Sequence, residues 1–204
     1  VPHKGRIFQY WLPDCVLKEL HFLDQYSSVQ LLSESPFPTT IDHETYVINS
    51  LMEEAIASSL LEGAATTRKK AKDMLRTGRR PRNKAEQMVL NNYLTMLKIK
   101  DLTNQPLSIE MLCEIQSLIT NETLEDDTAT GRLRKPDEEI VVIDRMDGQV
   151  LHFPPSADEL PARLQKLCDF ANQTTETGFI HPIIKGILLH FWLAYEHPFV
   201  DGNG

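Results

Sequence analysis

Apolar residues recur at alternating spacings of three and four from residue 48, through Ile48, Leu51, Met52, Ala55 and Ile56, and the small Ser59 continues the period. That period lines one face of an α-helix and predicts a helix from about Asp42 to Leu61. Gly63 follows it and suits the left-handed turn that closes a helix. Two further stretches repeat the period: Asn83 to Ile99, through Ala85, Met88, Tyr93, Met96 and Leu97, and Ser108 to Ile119, through Ile109, Leu112, Ile115 and Leu118. Between Gly63 and Asn83 lies a basic stretch broken by Gly78 and Pro81, which reads as a surface crossing. The first 40 residues mix Trp11, Pro13, Phe22 and Tyr26 with a Ser/Pro segment and show only short periodic runs around Val16 to Leu23. They are expected to form an appendage.

After a polar loop from Asn121 to Pro136 the period changes from that of a helix to that of a strand. Ile140 to Ile143 is β-branched, Asp147-Gly148 is a turn signal, and Val150 to Phe153 is a second short run, which together predict a β-hairpin. Pro154-Pro155 ends it. Ser156 and Glu159 then have capping-box spacing ahead of a helix through Leu160, Leu164, Leu167, Cys168 and Ala171. His181-Pro182 opens the last helix, which is apolar on nearly all sides to Glu196 and is expected to be buried by its neighbours.

Composition narrows the classes. A chain of 204 residues with 41% hydrophobic content supports one main core. There is no apolar run long enough to span a bilayer. Cys15, Cys113 and Cys168 are odd in number and widely spaced, which fits structural thiols in a reducing compartment. The chain starts without Met and without a basic-then-apolar leader, so the expected location is cytoplasmic. A net charge of −8 argues against bulk attraction to nucleic acid or anionic membrane. The charge is uneven, because nine basic residues from Arg68 to Lys84 stand against Asp73, a local +8 that leaves −16 on the remainder. That segment has no aromatics to stack on bases, so it reads as a solvated face and not as a nucleic-acid site.

The last helix runs into His197-Pro198-Phe199-Val200-Asp201-Gly202-Asn203-Gly204. Pro198 biases its predecessor out of the helical region, which places the His197 ring at a helix end and at an edge of the core. Gly202 and Gly204 allow backbone amides to converge, and Asn203 tolerates left-handed geometry, a combination suited to a phosphate nest. Asp201 adds a hard oxygen ligand beside it, as needed by Mg²⁺ that bridges nucleotide phosphates. A histidine, with an ordinary pKa of about 6.5, can act as a base at neutral pH.

This string resembles the signature of the Fic (filamentation induced by cAMP) family, His-Pro-Phe-x-[Asp/Glu]-Gly-Asn-[Gly/Lys]-x-x-Arg, at every position present. The resemblance implies a mainly α fold, a Fic-type helical domain with a short β-hairpin flap, over residues 45–204 after an appendage over residues 1–44. It implies transfer of AMP from ATP to a Ser, Thr or Tyr hydroxyl of a target protein. By the same resemblance His197 takes the proton of that hydroxyl, Asp201 holds Mg²⁺, Gly202, Asn203 and Gly204 bind phosphates, and Phe199 anchors the loop. Gly131-Arg132-Leu133-Arg134 resembles the Gly-x-[Phe/Tyr/Leu]-Arg element ahead of the family's flap. In the flap, Ile140, Val141, Val142 and Ile143 would receive the target as an added strand.

Ser58-Ser59-Leu60-Leu61-Glu62-Gly63 matches the family's inhibitory pattern, [Ser/Thr]-x-x-x-Glu-[Gly/Asn]. Ser58 and Glu62, four apart, share one helix face. The resemblance implies that Glu62 restrains ATP binding, in the class whose inhibitory helix, here about residues 42–63, precedes the signature. The signature's arginines would follow Gly204, so the sequence is expected to be a piece of a longer protein. Three alternatives stay open: removal of AMP by the same site, use of another nucleotide or phosphate-containing donor, and a catalytically silent regulatory or binding module. The target and any homo-oligomer stay open as well.

Overall fold

The computed structural model describes residues 2–3, 6–7, 9–32, 40–144, 146–173 and 178–203. Cα packing divides the chain into two units, Val1–Ser50 and Leu51–Gly204. In the first, β1 (Pro2–His3) pairs antiparallel with β2 (Arg6–Ile7), α1 (Asp14–Leu32) follows, and α2 (Thr40–Leu61) begins. α1 extends well beyond the short periodic runs around residues 16–23. Asp14 in its first turn complements the positive end of the helix dipole, and Phe22 and Tyr26, one turn apart, stack at 4.3 Å.

The second unit holds the rest of α2, then α3 (Arg68–Thr77), α4 (Lys84–Leu102), α5 (Ile109–Ile119), a hairpin of β3 (Val142–Ile143) and β4 (Val150–His152), α6 (Leu160–Asn172) and α7 (Pro182–Glu196). The architecture is mainly α, as expected. The apolar stripe of α2 is buried from Met52 onward, with Ala55, Ile56 and Ser59. Its end is a Schellman turn: the Ala64 N–H donates to the Ser59 carbonyl at 2.9 Å and the Gly63 N–H to the Leu60 carbonyl at 3.1 Å, with Gly63 at φ 98°.

The basic stretch, expected to be a surface crossing, forms α3 instead. Thr67 caps it by accepting from the Lys70 N–H at 3.3 Å, Ala71 and Met74 are buried, and Gly78 ends it in the left-handed region. So few apolar positions among so many cations hide the helical period. The cations are partly neutralised by α2 and α4. Arg68 donates to Glu53 at 2.9 Å, Lys72 pairs with the same carboxylate, and Arg79 grips Glu86 at 2.7 and 2.8 Å.

Two apolar clusters hold the second unit together. Met52, Ile56, Ala71, Met74 and Val89 join α2, α3 and α4; Leu112, Leu164, Leu167, Cys168 and Phe199 join α5, α6 and the segment after α7. Full burial of each larger side chain is worth about 2 kcal/mol. Asn91 of α4 ties the halves, since its side-chain amide donates to the carbonyls of Ile119 at 3.0 Å and Asn121 at 2.7 Å.

Two local expectations are corrected. Ser156 forms no side-chain cap: a 3₁₀ turn at Ala157–Glu159 intervenes, with the Glu159 N–H on the Ser156 carbonyl at 3.0 Å. Pro161 then starts α6, where its fixed φ and missing N–H fit. α7 opens at His181-Pro182 as expected, but its burial is one-sided, with Ile184 and Glu196 buried and Ile183, Ile187 and Phe191 exposed. Cys168 is buried, Cys113 partly buried and Cys15 exposed; the structural-thiol reading therefore does not extend to Cys15. Among the described residues no helix is long and apolar enough to cross a membrane.

Candidate active site

The C-terminal end of α7 presents two ionisable residues in opposite surroundings. Glu196 is fully buried, and its carboxylate accepts from Arg163 at 2.6 and 3.0 Å and from the Trp192 indole at 2.9 Å. A carboxylate inside a core requires such donors. His197 leaves the helix in the left-handed region, at φ 45° and ψ 60°, while its N–H still donates to the Leu193 carbonyl at 3.0 Å. Pro198 thus has a non-helical predecessor, although not in the extended conformation that a following proline usually imposes.

Burial pushes the His197 imidazole below its ordinary pKa, and the nearby Arg134 and His152 push the same way; a hydrogen bond to the Ala194 backbone and the Asp201 carboxylate oppose them. The neutral ring therefore prevails at pH 7. A carbonyl only accepts, so the ring nitrogen facing Ala194 carries the hydrogen and the other nitrogen keeps its basic lone pair.

Three side chains fix the loop after His197. Asn203 closes it on itself: its Oδ1 accepts from the Phe199 N–H at 2.9 Å and its Nδ2 donates to the Phe199 carbonyl at 2.9 Å. Gln116, 1% exposed on α5, accepts from the Gly131 N–H at 2.6 Å and donates to the Asp201 carbonyl at 3.2 Å. Arg134 donates to the carbonyls of His197 at 2.8 Å and of Pro155, and its own N–H donates to the Pro198 carbonyl at 2.8 Å. Phe199 and Pro198 are buried beneath. Gly202 sits at φ 81°, where an added Cβ would lie 2.8 Å from Thr120 Cγ2. Among the described residues only Glu122 and His197 take positive φ without being glycine. Asn203 therefore serves as a side-chain staple and not as the left-handed residue its type suggested.

A cavity of about 270 Å³ is lined by His197, Asp201, Gly202 and Asn203 together with Ser58 and Glu62 of α2. The residues singled out by the terminal string and by the Ser-x-x-x-Glu pattern thus share one chamber, although their nearest members, Glu62 and His197, are 135 positions apart. Gly63 acts through the turn that ends α2. Lys84 and Asn92 also line the chamber and carried no sequence signal for it. Gln116 was detectable only as a polar residue on the apolar stripe of α5, and Arg134 only as the last residue of Gly-x-x-Arg. Gly204 lies outside the described residues. In the hairpin, only Val142 and Ile143 of the four residues from Ile140 to Ile143 form strand, and the ladder is irregular between them; Val141 and Ile143 are exposed, Ile140 and Val142 partly buried.

Among the described residues no three His, Cys, Asp or Glu side chains gather as a metal cage. The exposed Asp201, with one carboxylate oxygen on the Gly202 N–H at 2.7 Å, nevertheless fits Mg²⁺. That ion takes one or two protein carboxylates and completes its shell with water and substrate phosphates.

Comparison with known proteins places this arrangement. Residues 106–204 match the profile of the Fic/DOC family. A 53-residue stretch is 36% identical to the protein adenylyltransferase Fic of Drosophila willistoni and of Drosophila mojavensis. The stretch covers 26% of this chain and only 10% of each relative. A Fic family protein from Desulfovibrio desulfuricans G20 superposes with a TM-score of 0.70 at 22% identity, over 96% of this chain and 56% of that one. A Fic domain containing signaling protein from Bacteroides thetaiotaomicron VPI-5482 gives 0.70 at 23% identity, over 92% and 67%. Fold, profile and the string beginning at His197 agree: residues 106–204 match the Fic/DOC family, and the fold is that of the Fic-family structures.

Proposed function

We propose that the protein is a Fic-type protein adenylyltransferase that moves AMP from ATP to a Ser, Thr or Tyr hydroxyl of a target protein, and that Glu62 restrains it. The observation that carries this reading is the single chamber shared by His197, Asp201, the Gly202 loop and Glu62. The curated relatives named as protein adenylyltransferases support it.

His197, neutral at pH 7, takes the acceptor hydroxyl's proton on its basic nitrogen as the oxygen attacks the α-phosphorus of ATP; the bond to the β-phosphate oxygen breaks and pyrophosphate leaves. Mg²⁺ held by Asp201 would neutralise phosphate charge. Arg134 and Gln116 hold the backbone on either side of the loop, so the base and the phosphate cradle keep their spacing without reorganising. A carboxylate sharing so small a chamber opposes a polyphosphate by like-charge repulsion, which makes Glu62 a restraint.

Intact-mass spectrometry of the full-length Glu62→Gly protein, incubated with ATP and Mg²⁺, tests this directly. AMP adducts that disappear in the Glu62→Gly, His197→Ala double variant are the expected result. ATP binding without adducts would transfer the site to AMP removal, and absence of ATP binding would leave a silent regulatory module.

A further inference from the structure

The hairpin is too small to set its own position. β3 and β4 pair only at Val142 with His152 and Ile143 with Val150, irregularly, and isolated two-stranded hairpins are marginal in water. Along β4 and just beyond it, exposed Leu151 and Phe153 flank His152, which is partly buried. His152 Nε2 lies 2.8 Å from the Tyr195 carbonyl oxygen. The carbonyl can only accept, so Nε2 carries hydrogen and donates. The two rings also stack, with centroids 4.5 Å apart and planes at 40°. Tyr195 is two residues before His197, and its carbonyl is among the last four of α7, which the helix itself leaves without donors.

We infer that His152 is a positioning residue whose bond to the Tyr195 carbonyl locks the hairpin to the helix end that carries His197. Arg134 holds the segment just after β4 at the Pro155 carbonyl, and His152 holds β4 itself. The docking hairpin and the base then move as one piece, and an acceptor hydroxyl laid along the hairpin arrives at a fixed distance from the imidazole. This role rests on the adenylyltransferase reading.

The test uses the full-length Glu62→Gly protein with ATP and Mg²⁺, reading self-modification by intact mass, ATP affinity by calorimetry, and backbone exchange in the hairpin by hydrogen–deuterium exchange. His152→Phe keeps a ring and loses the donor, and is expected to slow self-modification by about tenfold or more, with ATP affinity within about twofold of the parent. His152→Gln restores a donor at similar reach and is expected to recover most of the rate. A His152→Phe protein that modifies itself at the parental rate, or loses ATP affinity in step with rate, overturns the assignment. Should the parent form no adduct, the adenylyltransferase reading is what has failed. Exchange then decides the lock alone: faster exchange at Val150 to Phe153 in His152→Phe, with α5 unchanged, upholds it, and unchanged exchange overturns it.

Discussion

Arg134, a residue only 7% exposed, donates through Nε to the carbonyl oxygen of His197 at 2.8 Å. Its hydrogen-bond partners are backbone carbonyls, and among the described residues no carboxylate forms an ion pair with it; burial opposes the charge, while the more distant Glu196 and Glu138 favour it. Such an arrangement is costly to build and costly to break, because each buried acceptor left unsatisfied loses about 1–3 kcal/mol. Arg134→Met is expected to destabilise the protein by at least about 2 kcal/mol, seen as a lower denaturant midpoint. Arg134→Lys, which keeps the charge and the backbone bond but cannot span the carbonyls of His197 and Pro155 together, is expected to fall near Met; wild-type stability in Arg134→Lys would show that charge and not reach is what counts.

His197 supplies a pH signature. Burial lowers its pKa below 6.5 and the Arg134 charge adds to the effect. Between the folded value and 6.5 the unfolded chain binds more protons than the folded one, so this residue makes stability rise with pH across that window. An NMR titration is expected to place His197 below 6.5 and to move it upward in Arg134→Met; a folded midpoint above 6.5 would contradict the burial argument.

Acid sensitivity has a second source. Arg79 holds the Glu86 carboxyl at about 2, with help from the Arg82 N–H, and Arg132 and the Lys135 N–H do the same for Glu138. Both folded values lie below the ordinary 4.5. Their contribution is complete above pH 4.5 and drains away as pH falls toward 2. Urea unfolding as a function of pH is expected to show this loss, and Glu86→Gln, which costs about 2 kcal/mol at neutral pH, should flatten it.

Gly202 separates strain from collision. Gly202→Ala faces a left-handed backbone, at about 1–2 kcal/mol, and a contact of 2.8 Å with Thr120 Cγ2. Thr120→Ser removes that methyl while keeping the hydroxyl that donates to the Gln116 carbonyl. The Gly202→Ala, Thr120→Ser double variant is expected to be more stable than Gly202→Ala alone, with the strain remaining. Equal midpoints would mean that the loop simply moves away from Thr120.

Most helices were legible because their buried faces are apolar at the right period and their ends carry Asn83, Ser108, His181-Pro182 and Gly63. α3 was not, since its period rests on Ala71 and Met74 while its cations dominate the reading. The Ser156 cap failed for a different reason: Pro161 suits the first turn of a helix and draws the start one turn onward. Within the site, His197, Asp201 and Gly202 could be singled out from local residue types, and Ser58 and Glu62 from the resemblance of their string to the family's inhibitory pattern. Gln116 and His152 could not, and Arg134 only as the last residue of Gly-x-x-Arg with no hint of its partners, because their bonds span 85, 43 and 63 positions, and no local pattern encodes a partner that distant.

The contrast between Glu196, sealed against Arg163, and His197, facing the chamber, also makes α7 a counting device. Successive helical residues are about 100° apart around the axis. One residue inserted between Trp192 and Glu196 would carry the acid away from both Trp192 and Arg163 and shift the imidazole out of the chamber, although no side chain had been replaced. α7 should therefore accept many apolar exchanges along its exposed face, at Ile183, Ile187 and Phe191, while a change of a single residue in its length disarms it.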